Sequence, residues 1–219
     1  ELPRGQVGTV VALADKLETL VGLFGIGNLP TGDKDPFALR RHALGVIRML
    51  VEKGLPLDLS SLVNAGWPTD AQVQVSGAPQ SEPLKGPTLA GSALIRLHAE
   101  TPSLVKGFIY ERLSGYLRDM GYSTTEVDSV ISLKPERLNL VTRQIDAVRA
   151  FASLPEAPAL AAANKRIGNI LKKAGDAEQV VDAHVSELLL QEPAEKALYE
   201  AMQRIVPQAD AQFDAGDYT

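Results

Sequence analysis

Apolar side chains recur along this chain at intervals of three and four residues, the period of a helix with one buried face. The clearest stripe lies within residues 9–24 and consists of Val10, Leu13, Leu17, Leu20 and Phe24. Glycine, asparagine and proline then crowd residues 25–32, where they favour turns and end the helix. The pattern predicts an amphipathic helix near the start of the sequence.

The same period predicts nine further helical segments. Proline and capping residues mark several of their ends: Asp35 can cap the second helix with Pro36 in its first turn, and Ser123 with Glu126 three residues later forms a capping box. The first of these segments follows Asp35. The next four cover 58–64, 92–100, 103–120 and 123–132, two more end before Pro155 and before Gly175, and the last two cover 176–190 and 193–206.

A stretch of different composition separates these helices into two groups. Residues 66–91 are rich in Pro, Gly, Ser, Thr and Gln, and only Val73 to Val75 hint at a strand. We therefore predict an all-α protein of two helical lobes joined by a long loop or linker.

Composition narrows the class of protein. A chain of 219 residues with 45% apolar and 22% charged residues has enough apolar surface to fold. Because it has no cysteine, disulfides and thiolate metal sites are excluded, which fits a reducing cytoplasm. No apolar run approaches the roughly 20 residues that span a bilayer, so we expect a cytoplasmic protein without a membrane partner.

The net charge of −5 is unevenly distributed. Residues 104–175 hold 11 Lys and Arg against 7 Asp and Glu, whereas residues 176–219 hold 2 against 10. The first region is able to meet an anionic ligand, although solvated helix faces would give the same count.

No catalytic or metal constellation is apparent. The three histidines, His42, His98 and His184, lie in separate predicted helices without a partner pattern, and Asp15 has only Glu18 nearby. No GxxxxGK[ST] phosphate loop occurs. We predict no catalytic residue, no metal ligand and no cofactor for this chain.

Several short sequence segments are more specific than the helix pattern. They resemble, in the same order, the β subunit of the bacterial two-subunit (α2β2) glycyl-tRNA synthetase, and they indicate its C-terminal portion. The segments are ADKLETLVG (14–22), PTGDKDPFALRR (30–41), ALGVIR (43–48), FIYERL (108–113), YLRD (116–119), AAANKRI (161–167) and EPAEKALY (192–199).

The resemblance implies an aminoacyl-tRNA synthetase, which joins glycine to tRNA-Gly and converts ATP to AMP and diphosphate. It places the catalytic site, and the use of ATP and Mg, on the α subunit. The β subunit then contributes tRNA recognition, its partners are tRNA-Gly and the α subunit rather than DNA, and this chain alone is expected to be inactive.

The resemblance also implies a domain division. Residues 1–64 would be the C-terminal part of an HD-like helical domain, 65–103 a linker or long loop, and 104–219 an anticodon-binding domain of DALR type that is incomplete at its C-terminus. Exposed apolar surface is then expected where further helices would pack. Of the metal-binding residues of HD phosphohydrolases only the late aspartate has a counterpart, Asp15.

Basic residues on predicted helices are the candidate tRNA contacts, because lysine and arginine hold phosphates. For the anticodon lobe they are Asn164, Lys165, Arg166, Arg112 and Arg118, and nearer the acceptor arm Arg40 and Arg41.

Three alternatives remain open. Arg112 and Arg118 are equally compatible with ion pairs to Glu111 and Asp119. The chain as a whole is compatible with a purely structural scaffold that docks the α subunit, or with a remnant HD-type metal-dependent phosphohydrolase.

Overall fold

A computed structural model describes residues 1–31, 34–67, 72–75, 93–96, 99–176 and 185–218. The chain forms two compact units, Glu1–Ile145 and Asp146–Thr219. In both units the described residues are mainly helical, which confirms the all-α prediction. None of the helices in these ranges is long and apolar enough to cross a membrane.

The first unit is a helical bundle. Its α-helices are α1 (Gln6–Gly25), α2 (Leu39–Glu52), α3 (Leu59–Ala65), α4 (Thr101–Asp119) and α5 (Thr124–Ile131), followed by a 3-10 turn (Leu138–Leu140) and by α6 (Val141–Ala152), which crosses the division between the units. The short helix at 58–64 and the Ser123–Glu126 capping box are confirmed. The sequence also suggests that Pro135 opens the helix that ends before Pro155, and this is wrong: α6 begins six residues later, at Val141.

Helix α4 lies at the centre of this bundle and contacts α1, α2, α3 and α5. The first compact unit therefore extends across the predicted domain boundary at 103/104, since 101–145 pack with 1–65 in one unit. The HD-like and anticodon-binding assignments of these segments stay predictions.

The buried face of α4 differs from the predicted one. We expected Leu104, Phe108, Leu113, Tyr116 and Met120 to form it, but Leu104 and Met120 are exposed. The side chains that are buried instead, together with Leu113, are Val105, Ile109, Tyr110 and Leu117. Both sets have helical spacing, and packing against the four neighbouring helices selects the second.

A short antiparallel ladder pairs β1 (Gln72–Val75) with β2 (Ala93–Arg96), with Val73 opposite Ile95. The strand signal at Val73–Val75 is confirmed. The helix predicted over 92–100 is wrong at 93–96, where cross-strand pairing outweighs helix propensity. Of the predicted linker 65–103, residues 68–71, 76–92 and 97–98, which include His98, lie outside the described residues. Its two ends are helical, since Ala65 is the last residue of α3 and 101–103 already belong to α4.

Three polar residues, Ser60, Lys106 and Glu136, join α3, α4 and the segment before the 3-10 turn; we call them the Glu136 clamp. The Glu136 carboxylate accepts hydrogen bonds from the Ser60 N–H (2.8 Å) and hydroxyl (2.7 Å). Lys106 Nζ donates to Ser60 Oγ (2.8 Å) and lies 3.8 Å from Glu136 Oε1. The clamp satisfies an otherwise orphan N–H at the start of α3.

Tyr110 gives this unit a pH dependence. Its hydroxyl donates to the carbonyls of Lys134 (3.1 Å) and Pro135 (3.2 Å), and burial, with the negative charges of Glu136 and Asp58, raises the Tyr110 pKa to about 12. The unfolded chain releases this proton near pH 10, so this contribution to stability is complete below pH 10 and is lost towards pH 12.

We expect Tyr110→Phe to flatten the fall of unfolding free energy between pH 10 and 12 by up to about 1.4 kcal/mol per pH unit. Urea titrations at several alkaline pH values measure this slope, and Tyr122→Phe serves as the control. Equal slopes for wild type and Tyr110→Phe would contradict the assignment.

The second unit contains α7 (Ala157–Asp176), a 3-10 turn (Glu187–Leu189) and α8 (Pro193–Ala215). Helix α8 opens with a capping box and continues through Pro207, beyond the predicted end at 206. Of the helix predicted over 176–190, residues 177–184 with His184 lie outside the described ranges, and 187–189 form a 3-10 turn instead.

Apolar side chains are exposed along both long helices of this unit. They include Leu160, Ile167, Ile170 and Leu171 on α7, and Leu198, Met202, Ile205 and Phe213 on α8. Exposed apolar surface is present as expected, and the packing of further helices on it stays a prediction.

Candidate nucleic-acid interface

A groove of about 620 Å³ on the first unit collects two of the predicted contact residues, Arg40 and Arg112. We call it the Arg40–Arg112 groove. Its other lining residues come from the end of α1, the turn after it and one face of α4: Phe24, Leu29, Pro30, Ser103, Leu104, Gly107, Phe108 and Glu111.

Local capping fixes Arg40. Asp35 accepts hydrogen bonds from the backbone N–H groups of Leu39 (2.8 Å) and Arg40 (3.0 Å), after Ala38 adopts a left-handed conformation with φ 55°. Asp35 thus caps α2 as expected, although the helix begins at Leu39 and Pro36 lies before its first turn. This capping places Arg40 in the first turn of α2, beside the groove.

Arg112 is held by two interactions on the α4 side of the groove. Its guanidinium lies over the Phe108 ring, 5.4 Å from the centroid, and forms an ion pair with Glu111. Phe108 in turn packs against Phe24 at 5.3 Å between centroids, with the ring planes tilted by 52°. The Arg112 Nε is covered and finds no acceptor among the described residues.

The predicted ion pair of Arg112 with Glu111 is thus present, together with a position on the groove. Arg118 is exposed on the last turn of α4, and the described part of the chain offers it no ion pair with Asp119. Arg41 is also exposed but does not line the groove.

A second basic residue of α2, Arg48, is neutralised within the bundle. Its guanidinium lies 2.6 Å from the Glu52 carboxylate, which also accepts a hydrogen bond from the Tyr116 hydroxyl at 3.2 Å. The Arg48 hydrogen bond lowers the pKa of Glu52, and burial with the Glu52 charge raises that of Tyr116.

Asn164, Lys165 and Arg166 lie on α7 in the second unit, and all three are exposed. At 100° per residue, Lys165, Arg166, Lys172 and Lys173 fall within about 120° of helix arc, opposite the exposed apolar stripe. The ion pairs found in the described ranges include none of these four cations. We call this surface the α7 basic face.

The described ranges contain no group of three or more His, Asp and Glu residues that could hold a metal. Asp15 is exposed and lies 3.8 Å from Lys16 Nζ, and His42 is half-buried on α2 with its Nδ1 unpaired by any described residue.

The groove walls were not identified from sequence. Phe24 and Phe108 were assigned to core stripes, whereas both also line the groove. The spacing of Phe108 and Arg112 by one helical turn was the available signal, because residues four apart on a helix lie side by side.

Comparison with known proteins identifies the class. Residues 1–132 match the family model described as glycyl-tRNA synthetase beta subunit, a subunit of an aminoacyl-tRNA synthetase. Relatives named glycine–tRNA ligase beta subunit match over the whole length of this chain. The chain belongs to the glycyl-tRNA synthetase β-subunit family.

Three of these relatives show the degree of similarity. The protein of Acidovorax ebreus (strain TPSY) is 62% identical over 218 residues, that of Polaromonas naphthalenivorans (strain CJ2) 63% over 219, and that of Dechloromonas aromatica (strain RCB) 54% over 218. Each alignment covers 100% of this chain and 26–27% of the relative. The chain spans about a quarter of the length of the curated relatives it matches, and its place in their C-terminal portion stays a prediction.

Proposed function

We propose that this chain is the tRNA-binding and tRNA-positioning part of a glycine–tRNA ligase, and that the catalytic site, with its use of ATP and Mg, lies on the α subunit. Membership of the β-subunit family supports this proposal. Its partners are then tRNA-Gly and the α subunit, in the cytoplasm.

The observation that carries the proposal is the α7 basic face. Four cations project together from one helix, and no described acidic residue neutralises them within ion-pair distance. Such a surface attracts phosphates, whose bound counterions are released on contact. A helix that only docked a protein partner would need its apolar stripe and not four cations on the opposite face.

We expect the double variant Lys165→Ala/Arg166→Ala to bind tRNA-Gly more weakly and with a smaller salt dependence. Loss of two phosphate contacts should reduce the slope of log K against log salt by about 1.4–1.8. Fluorescence titrations of labelled tRNA-Gly between low and physiological salt measure both quantities.

The matched control is Lys196→Ala/Arg204→Ala, which removes two exposed cations from the acidic helix α8. This variant should keep the wild-type slope. If the wild-type chain binds no tRNA-Gly at low salt but still binds the α subunit, the alternative of a purely structural scaffold is correct. Stoichiometric bound metal with phosphohydrolase activity would favour the HD-type enzyme.

A further inference from the structure

The Arg40–Arg112 groove has the composition of a small-ligand site rather than of a flat electrostatic surface. We propose that it accepts one unstacked nucleotide of a bound RNA strand, with the phosphate on the two arginines and the base against the apolar wall. This inference rests on the proposed function and adds the form in which the RNA is recognised.

Charge favours an anion in the groove. Among the described lining residues, Arg40 and Arg112 supply two guanidiniums and Glu111 one carboxylate, so these residues together carry a positive charge. A guanidinium has five N–H donors, and a single carboxylate accepts at most two of them in the bidentate arrangement. Arg112 therefore retains donors for a phosphate while Glu111 holds its position.

The apolar part of the lining favours a planar ring beside that anion. Leu29, Pro30 and Leu104 line the same groove as Phe24 and Phe108. A phosphate alone, or an acidic side chain, would leave this wall uncovered, whereas a nucleotide has both a charged and a flat apolar part. Bases also stack on arginine planes, and Arg112 is already held over the Phe108 ring.

Size favours a single unpaired nucleotide. The groove measures about 620 Å³, within the range of about 300–1,000 Å³ that is typical of small-molecule sites. A base within a duplex is stacked and paired, so it has no free face to place in such a groove. Loops and single-stranded ends offer the required bases.

The site is formed before any ligand binds. The tilted contact of Phe24 with Phe108, the Arg112 cation over that ring and the Asp35 cap of α2 all exist in the free protein. Little side-chain freedom is lost on binding, which favours affinity.

Gly107 provides a direct test of the groove. It lines the groove on α4, and a Cβ atom built there meets nothing within 4 Å. Gly107→Leu therefore fills part of the groove without removing a charge, and leucine has a higher helix propensity than glycine. Gly115 lies on the same helix, has equally open surroundings and does not line the groove, so Gly115→Leu is the matched control.

The experiment measures binding of a fluorescein-labelled six-nucleotide single-stranded oligoribonucleotide to the 219-residue chain by anisotropy, with a blunt duplex of the same length for comparison. We expect the single strand to bind more tightly than the duplex. Gly107→Leu and Arg112→Gln should each weaken single-strand binding about tenfold or more, and Gly115→Leu should stay within about twofold of wild type. Thermal unfolding shows that each variant is folded.

Wild-type affinity of a folded Gly107→Leu variant for the single strand would overturn the inference. The proposed function would survive that result if Lys165→Ala/Arg166→Ala still weakened tRNA-Gly binding, and would fail together with the inference if the wild-type chain bound neither RNA. Binding of AMP without binding of the oligonucleotide would also overturn it, in favour of a free-nucleotide site.

Discussion

Truncation of Leu113 to alanine should lower the free energy of unfolding of the first unit by about 3–5 kcal/mol, and truncation of Leu50 should do so by a similar amount. Both side chains are fully buried, on α4 and α2 respectively. Each substitution removes three carbon atoms from a packed core and leaves a cavity that the surrounding helices close only in part.

The two sites lie on either side of the predicted domain boundary, yet both belong to the unit Glu1–Ile145. We therefore expect both variants to shift the same cooperative transition in urea unfolding followed by circular dichroism. Leu133→Ala is the control, since Leu133 is 78% exposed and its truncation should change stability by less than about 0.5 kcal/mol. Two separate transitions, each moved by one variant only, would contradict a single unit.

Glu136→Ala should destabilise the first unit by about 2 kcal/mol. It removes the acceptor of two Ser60 hydrogen bonds and the anion beside Lys106, and hydrogen bonds to charged groups contribute about 1.5–3 kcal/mol each before allowance for exposure. The Glu136 side chain is 41% exposed, so solvent screens part of this contribution.

Glu136→Gln separates shape from charge, because glutamine retains an acceptor for Ser60 but no charge for Lys106. We expect it to lose less stability than Glu136→Ala in the same urea experiment. Glu18→Ala, at an exposed position of α1, is the control and should be near neutral. A stability of Glu136→Ala equal to that of Glu18→Ala would show that the clamp does not stabilise the bundle.

Helix positions followed from the apolar period because helices are local. The identity of the buried face was less secure: on α4, the stripes through Leu104 and through Val105 are both helical, and only contact with the other helices decides between them. The strand Ala93–Arg96 was missed for a related reason, since its partner lies some 20 residues earlier in the chain.

The candidate site was predicted by residue type and not by arrangement. Arg40 and Arg112 were both selected as cations, but no local signal links positions 72 apart in the chain. Their meeting on one groove depends on how α2 and α4 pack. A change in composition after residue 65 likewise predicted a division of the chain, whereas the compact units divide at Ile145, because α4 returns to the helices that precede it.

The Glu136 clamp also bears on the order of events during synthesis. Ser60 and Glu136 are 76 positions apart, so at about 5–20 residues per second the ribosome needs roughly 4–15 s after making the start of α3 to supply its capping partner. In the first part of that interval, until residues 101–119 have been made, the buried residues of α3, Leu59 and Val63, have no α4 to pack against. The nascent chain thus offers a short apolar segment to chaperones until α4 has been synthesised, and the clamp forms only after that.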